Sequence, residues 1–340
     1  MKKIYIFLFL FIAFRQDIVA QDIHFSQFFN IPGLLNPAQS GQYRLTYRAI
    51  VNYRNQWSTI PAPYVTPMLY GDLALMSCKL KGDHMGLSLT ILNDRAGNGD
   101  LNTFQTKIAY AYHKALDLEL HHQISAGFQV DFTRKAINFS KLLFQSQYIG
   151  NDFDGNIASN EPIRNDNFSY IDLNAGLLWT SIISKRTSFN IGASIHHLTQ
   201  PRETFLREGK KLGMKIIGHG SAQIQLGPNF TTSPAIMYAQ QTGAQEIVLG
   251  NAFGYNINMN TGRENLASFY IGLWYRLQDA YILFTGVDYR NVRFSFSYDI
   301  NNSGLKPASL RQGGAELSLA YVGFMKDCRK KYGTLFCPRF

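Results

Sequence analysis

The chain has 340 residues, with 33 Lys+Arg against 23 Asp+Glu, and is 46% hydrophobic, 14% aromatic and only 16% charged. That charged fraction falls below the roughly 25% of an ordinary soluble domain. No internal run of about 18 apolar residues exists to make a spanning helix, which excludes a helical membrane protein, and the abundance of aromatics argues against disorder.

Residues 1–20 have the order of an export signal: Lys2 and Lys3, an apolar core from Ile4 to Phe14, then a polar stretch to Ala20. The segment is too short to span a bilayer, and cleavage after Ala20 leaves Gln21 first and a net charge of +8 from the original +10. On an exported chain such a charge points to anionic lipid, lipopolysaccharide or a polar lumen and not to nucleic acid. Residues 21–42 follow, where Pro32 and Pro37 cannot continue a sheet. They read as a folded plug, as a periplasmic lid, or as a frayed terminus.

From residue 43 to 324 a single motif recurs, a run of about ten residues alternating apolar and polar and closed by Gly, Asn, Asp or Pro. The runs predict strands at 43–54, 66–76, 84–92, 103–114, 119–132, 169–181, 187–197, 214–225, 231–240, 245–255, 266–277, 280–289, 291–300 and 313–324. From Leu120 to Phe132, for example, Leu120, His122, Ile124, Ala126, Phe128, Val130 and Phe132 share one face, opposite His121, Gln123, Ser125, Gly127, Gln129 and Asp131. One face suits lipid and the other water. The run from Tyr43 to Arg54 does the same.

Fourteen is an even count, as a closed antiparallel barrel with both termini on one side requires. The expected fold is therefore all-β, a single transmembrane antiparallel β-barrel of the outer membrane, with residues 325–340 as a periplasmic tail. Short connections are expected after strands 2, 4, 6, 8 and 12, and longer ones after 1, 3, 5, 7 and 13; those at 278–279 and 258–265 break the rule. This orientation places 133–168 outside the cell. A soluble sandwich or propeller also alternates, but nearly every run here ends in aromatics: Tyr43, Tyr53, Tyr110, Tyr112, Trp179, Trp274, Tyr289 and Tyr321. Tyr and Trp gather where bilayer meets water.

The mature chain opens QDIHFSQFFNIPGLLNPAQSG and continues to NYRNQW at 52–57. HLTQP (197–201), GLWYRLQDA (272–280), YDINNSGL (298–305), AELSLAY (315–321) and a terminal CPRF follow in order. In this order and spacing the sequence resembles the PorP/SprF family of Bacteroidetes outer-membrane proteins, associated with type IX secretion and gliding motility. The resemblance departs after HLTQP, where Arg202, Glu203, Thr204 and Phe205 replace the usual Pro and polar residue before an aromatic. It implies a barrel that anchors or assists surface display of an exported, adhesin-like protein alongside other type IX components. A substrate-specific diffusion channel for hydrophobic or anionic solutes is the alternative, with a surface hydrolase behind it.

The sequence yields no catalytic constellation and no cofactor. The adjacent pairs His121-His122 and His196-His197 should point to opposite faces of a strand, so neither pair chelates one metal. Asp152-Phe153-Asp154-Gly155-Asn156 begins like a calcium loop, but Ile157 stands at the sixth position and Ile163 at the twelfth, which favours a solvated turn. Cys328 and Cys337 either close a disulfide around the tail, leaving Cys78 single, or all three are free thiols. Arg44, Arg48, Arg54, Arg276 and Arg293 should share the lumen with Asp131, Asp172, Asp299 and Glu316. The outer loops, 55–65, 133–168 and 198–213, carry Trp57, Phe144, Tyr148, Phe153, Phe168, Arg202, Phe205 and Arg207. Aromatics and arginines of this kind dominate binding energies, and these are candidate partner contacts; the alternative is that they pack together as a cap.

Overall fold

The computed structural model describes residues 22–325, apart from 45, 59–62, 78, 81, 162–164, 206–208, 258–266 and 305–308. The export signal, the three cysteines, Arg207 and the tail lie outside the described residues. The alternating runs pair edge to edge as β1 (Thr46–Gln56), β2 (Tyr64–Leu75), β3 (His84–Ala96), β4 (Leu101–Ala115), β5 (His122–Ala136), β6 (Asn167–Ser184) and β7 (Thr187–His196). They continue as β8 (Lys215–Gln225), β9 (Phe230–Gln241), β10 (Ala244–Ile257), β11 (Ala267–Arg276), β12 (Ala280–Tyr289), β13 (Val292–Asn301) and β14 (Gln312–Phe324). Each pairs antiparallel with its sequence neighbour, and β1 pairs with β14 from Thr46↔Phe324 to Gln56↔Gly314, so the sheet closes into a fourteen-stranded barrel. Closure leaves no sheet edge to satisfy in lipid. Among the described residues no helix is long and apolar enough to cross a membrane.

The outer face carries the apolar half of the alternation. Val51, Leu69, Leu89, Ile108, Phe128, Ile171, Ile271 and Leu319 are all exposed, and in a bilayer these surfaces meet acyl chains and not water. Inward positions are mostly polar and buried.

Several strands run past the hydrophobic band. β3 continues through Asn93, Asp94 and Arg95 to Ala96, and β5 continues to Ala136, because backbone pairing persists beyond the apolar residues that mark a run in sequence. The connection after β3 is consequently only 97–100, shorter than that after β2 at 76–83, the reverse of the expected order. The long connections, 137–166 and 197–214, follow β5 and β7 and share one end of the barrel, here called the long-loop rim.

Three residues expected on the lipid face turn inward or out of the wall. Leu120 sits in the β4–β5 turn with φ +61° and is buried. Tyr43 precedes β1 and is buried, its carbonyl accepting from Thr46 Oγ1 (2.7 Å). Trp274 is 2% exposed, because the even-numbered residues of β11 face the lumen.

Among the described residues the ladder skips two positions at each of two prolines, which bring no N–H to a ladder, besides single-residue register shifts at Ile182/Ser184 and Asp299/Ile300. Pairing of β2 with β3 skips from Val65↔Arg95 to Met68↔Leu92, around Pro67. Pairing of β8 with β9 skips from Ser221↔Ala235 to Ile224↔Thr232, around Pro234.

Candidate functional site: the lumen and its N-terminal segment

The interior is occupied by the residues that precede β1. Short helical turns at Phe28–Asn30, Pro32–Leu35 and Pro37–Gln39 fold the segment compactly, the last capped by Asn36 Oδ1 accepting from Ala38 N (2.9 Å). Prolines that bar this stretch from a sheet start two of these turns. The segment begins near the long-loop rim, at Asp22, and descends toward the opposite end, at Gln42.

A glycine bed receives its lower half. A Cβ on Gly86 would lie 1.7 Å from Ser40 O, on Gly127 2.3 Å from Ala38 N, and on Gly176 2.0 Å from Asn36 Oδ1. Any side chain at these wall positions would collide with the segment. Around the bed, Asn36 Nδ2 donates to the carbonyls of Leu177 (2.9 Å) and Ala193 (3.3 Å), and Ser194 Oγ donates to Leu35 O (2.7 Å). The stacked rings of His84 and His113, 4.3 Å apart, hydrogen-bond through Nε2 to the carbonyls of Gly41 (3.0 Å) and Ser40 (2.8 Å).

The upper half meets two chemically different walls. On β13, β14 and β1, Ser26 Oγ donates to Asp299 (2.7 Å) and Ser26 N to Glu316 (2.8 Å). Arg54 joins Asp299 (3.2 Å) and Glu316 (3.4 Å), while Arg276 joins Asp299 (3.3 Å), Asp279 (2.9 Å) and Glu246 (3.1 Å). Both arginines also donate to Ser26 Oγ, at 2.6 and 3.0 Å. Gln27 and Asn30 extend this network to Ser295 and Ser297. Apart from Arg276 on β11 and Glu246 on β10, which belong to that network, the wall of β8–β12 is apolar where it meets the segment: Phe28 and Leu35 pack with Ile217, Met237, Val248, Ala252, Ile282 and Phe284. Phe29 stacks on Trp274 (4.8 Å, 27°) and meets Phe284 edge-on (5.4 Å).

Arg48 pairs with Asp72 and bonds Gln39 O (3.1 Å); Arg293 pairs with Asp288 (2.5 Å); Lys107 pairs with Asp131 (2.5 Å); and Arg44 donates to Gly82 O (3.2 Å). The structure thus places Arg44, Arg48, Arg54, Asp131, Asp172, Arg276, Arg293, Asp299 and Glu316 inside the barrel, each in polar contact. Paired groups of this kind leave little free charge with which to select an ion.

At the rim the expected alternation fails at His196-His197. Both rings are buried, because His197 has left the strand with φ +61° and its ring turns inward beside that of His196. His197 Nδ1 bonds Asp172 (2.5 Å) and Nε2 bonds Asp22 (2.7 Å), while Lys215 stands 3.6 Å from Asp22. Burial disfavours the imidazolium, but the hydrogen bonds to Asp172 and Asp22 outweigh it and raise the His197 pKa to about 9. Burial would raise Asp22, yet Lys215 and the His197 bond hold its carboxyl well below the ordinary range. Asp22, His197 and Lys215 were not legible as a unit, since they are 175 and more residues apart in pairs with Asp22 and adopt no motif spacing. His121, by contrast, is exposed beside Asp117 and Glu119.

The rim candidates divide. Phe205 packs on Phe168 (4.8 Å) and Phe139 (5.9 Å), and Trp57, with φ +56°, meets Tyr64 edge-on (5.3 Å). Phe144 is half-buried and Arg202 exposed. A separate two-residue hairpin pairs Tyr148 with Phe153, their rings 5.0 Å apart, and leaves Tyr148 (50%), Ile149 (61%) and Phe153 (44%) exposed. Asp154 there bonds Asn156 locally, and among the described residues no group of three or more His, Cys, Asp or Glu side chains could hold a metal ion.

Barrels of similar fold include a FadL homologue from Pseudomonas aeruginosa, with 12% identity, coverage of 87% of this chain and 94% of that one, and a TM-score of 0.53. The toluene transporter TbuX of Ralstonia pickettii has 12% identity, covers 87% and 93%, and gives 0.51. At such identity the likeness is one of fold. No curated relative matched the sequence. The family model described as type IX secretion system membrane protein PorP/SprF matches residues 18–321. This match joins a closed fourteen-stranded barrel whose outer face is apolar, so the protein is an outer-membrane β-barrel and the chain belongs to the PorP/SprF family of the type IX secretion system.

Proposed function

We propose that this barrel anchors an exported, adhesin-like protein at the cell surface in the type IX secretion and gliding system, with residues 22–42 acting as a plug. The observation that carries the reading is the filled lumen. A segment bonded to strands on every side of the interior is a poor route for solutes, which disfavours the diffusion-channel alternative. What remains for a partner is the long-loop rim, taken as the extracellular end. There the hairpin of Tyr148, Ile149 and Phe153 holds apolar surface outward on a paired backbone, while the Phe139, Phe168 and Phe205 cluster braces the loops beneath it. Rigid aromatic anchors bind with little loss of side-chain freedom. Arg202 lies on the same rim, and neither nucleic acid nor a cofactor has a place in this reading.

Deleting residues 140–160 should leave the barrel assembled and heat-modifiable on gels while releasing the exported partner into the medium. A partner still held at the surface would remove this loop from the contact. Protease added to intact cells should cut within 137–166 before 226–229; the opposite order would invert the topology.

A further inference from the structure

The pairing gap at Pro234 lies between two apolar hollows, one on each side of the wall. Outside is a groove of about 1000 Å³ across β7–β12, rimmed by Ile191, Ile236, Leu249, Phe253, Ile271 and Leu273. Its floor is made of small residues, Gly220, Ala222, Pro234 and Ala235 among them. Inside is a hollow of about 30 Å³ beside Phe29, Ala252 and Trp274, on the apolar sector of the lumen. Phe189, Asn190, Ser221, Ala222 and Ala235 line both, so a single thickness of backbone separates them. That backbone is where β8 and β9 are unpaired, over Ala222-Gln223 and Ser233-Pro234. Asn251 fills the gap from the lipid side, its Oδ1 accepting from Thr232 Oγ1 (2.9 Å) and Ser233 N (3.1 Å). The gap at Pro67 differs: Thr66 bridges to Asp94 near the rim (2.6 Å), and neither hollow reaches it.

We propose that this part of the wall is a binding site for an uncharged amphiphile with a single long apolar chain, taken laterally from the bilayer into the groove and across the gap toward Trp274. The groove faces acyl chains, so its occupant arrives from the membrane. The polar side chains of the inner hollow are neutral, Thr180, Ser188, Asn190, Ser221, Gln223 and Ser233 with the Tyr43 phenol, and no Lys, Arg, Asp or Glu lines either hollow. A carboxylate head would be desolvated there without a cation. A hydroxyl or amide head finds donors and acceptors. The site does not depend on the anchoring role.

The test uses the full-length barrel in phosphatidylcholine vesicles, with Trp57→Phe and Trp179→Phe leaving Trp274 as the one tryptophan of three. The probes are a long-chain alcohol brominated at its second carbon, beside the head, the carboxylate of the same chain brominated at the same position, and a brominated phospholipid. Bromine quenches tryptophan only near contact. The alcohol should quench Trp274 saturably, at a concentration at least fivefold below that needed with the carboxylate. Gly220→Leu should then reduce the quenching at least fivefold. A Cβ at Gly220 meets nothing closer than 3.7 Å, so the variant fills the groove without straining the wall. Ala222→Phe gives the same reading should Gly220→Leu fail to assemble. Quenching that rises without saturation in parallel with the phospholipid, equal quenching by the carboxylate, or quenching unchanged in an assembled groove-filled variant would each overturn the proposal.

Discussion

The two walls that face the upper half of the N-terminal segment hold it by opposite means. On β13, β14 and β1, joined by Arg276 at the end of β11, the contacts are directional, with Ser26 at the meeting point of two arginines and two carboxylates. On β8–β12 they depend on shape, with Phe29 laid between Trp274 and Phe284. Buried charges are intolerant of the loss of one partner, whereas apolar packing tolerates exchange at similar volume. The directional wall should therefore set where the segment sits, and the apolar wall should be the side able to rearrange.

The largest effect should come from Arg54→Ala, which leaves the buried Glu316 without its cation and Asp299 with Arg276 alone. A loss of about 3–5 kcal/mol is expected in denaturant unfolding from vesicles. Replacing the outward Phe128 by Arg should cost about 2–4 kcal/mol if it lies at the bilayer midplane. Arg at the inward Gln129, which is 1% exposed and bonds Asp131, should cost less, and equal costs would show the faces misassigned. Gly127→Val overpacks the bed beneath Ala38 and should cost about 1–3 kcal/mol, visible as faster proteolysis within residues 22–42. Phe29→Leu should cost under about 1.5 kcal/mol. A loss as large as that of Arg54→Ala would erase the contrast between the walls.

The smallest effect is local and depends on pH. The His197 pKa is raised from 6.5 to about 9, so its bridge between Asp22 and Asp172 is at full strength below about 6.5 and is lost as pH rises through 9. The depressed Asp22 works in the other direction, its contribution being lost as pH falls through and below the carboxylate range. Lys215 and His196 stand nearby, and Lys215 strengthens the hold on Asp22 while charged. Hydrogen exchange at residues 22–26 should therefore accelerate, beyond its intrinsic rise, between pH 8 and 10. His197→Gln should abolish that step, and a step that persists in the variant would assign it elsewhere.

How much of this was legible follows from the range of each interaction. All fourteen strands could be read because alternation is a local signal repeated in every run, and the lipid face of Phe128 or Ile108 follows from parity alone. Parity also placed Arg54 and Glu316 inward. It could not name their partners, since Ser26 and Glu316 are 290 positions apart. Parity misled where the chain leaves a strand, at Tyr43 just before β1 and at Leu120 and His197, both of which adopt positive φ. Trp274 misled for another reason, because an aromatic near a strand end signals a membrane interface only when it faces outward. A trace of the segment's seat was present in sequence: Gly86, Gly127 and Gly176 all fall at inward positions, where an empty barrel has no need of glycine.

The same long separations bear on how the barrel is made. Ser26 and Gln27 contact β14, the last strand of the sheet, while β1 pairs with that same strand. The segment is thus clasped at the seam where the cylinder shuts, by contacts that cannot exist until nearly the whole chain is in place. Interactions of such high sequence separation form late, because loop closure must precede them. Assembly must therefore fold the wall around residues already gathered inside it, or thread them through afterwards against the glycine bed. The first course makes the segment a template on which the sheet curls, and a barrel deprived of it would be expected to close more slowly as well as more loosely.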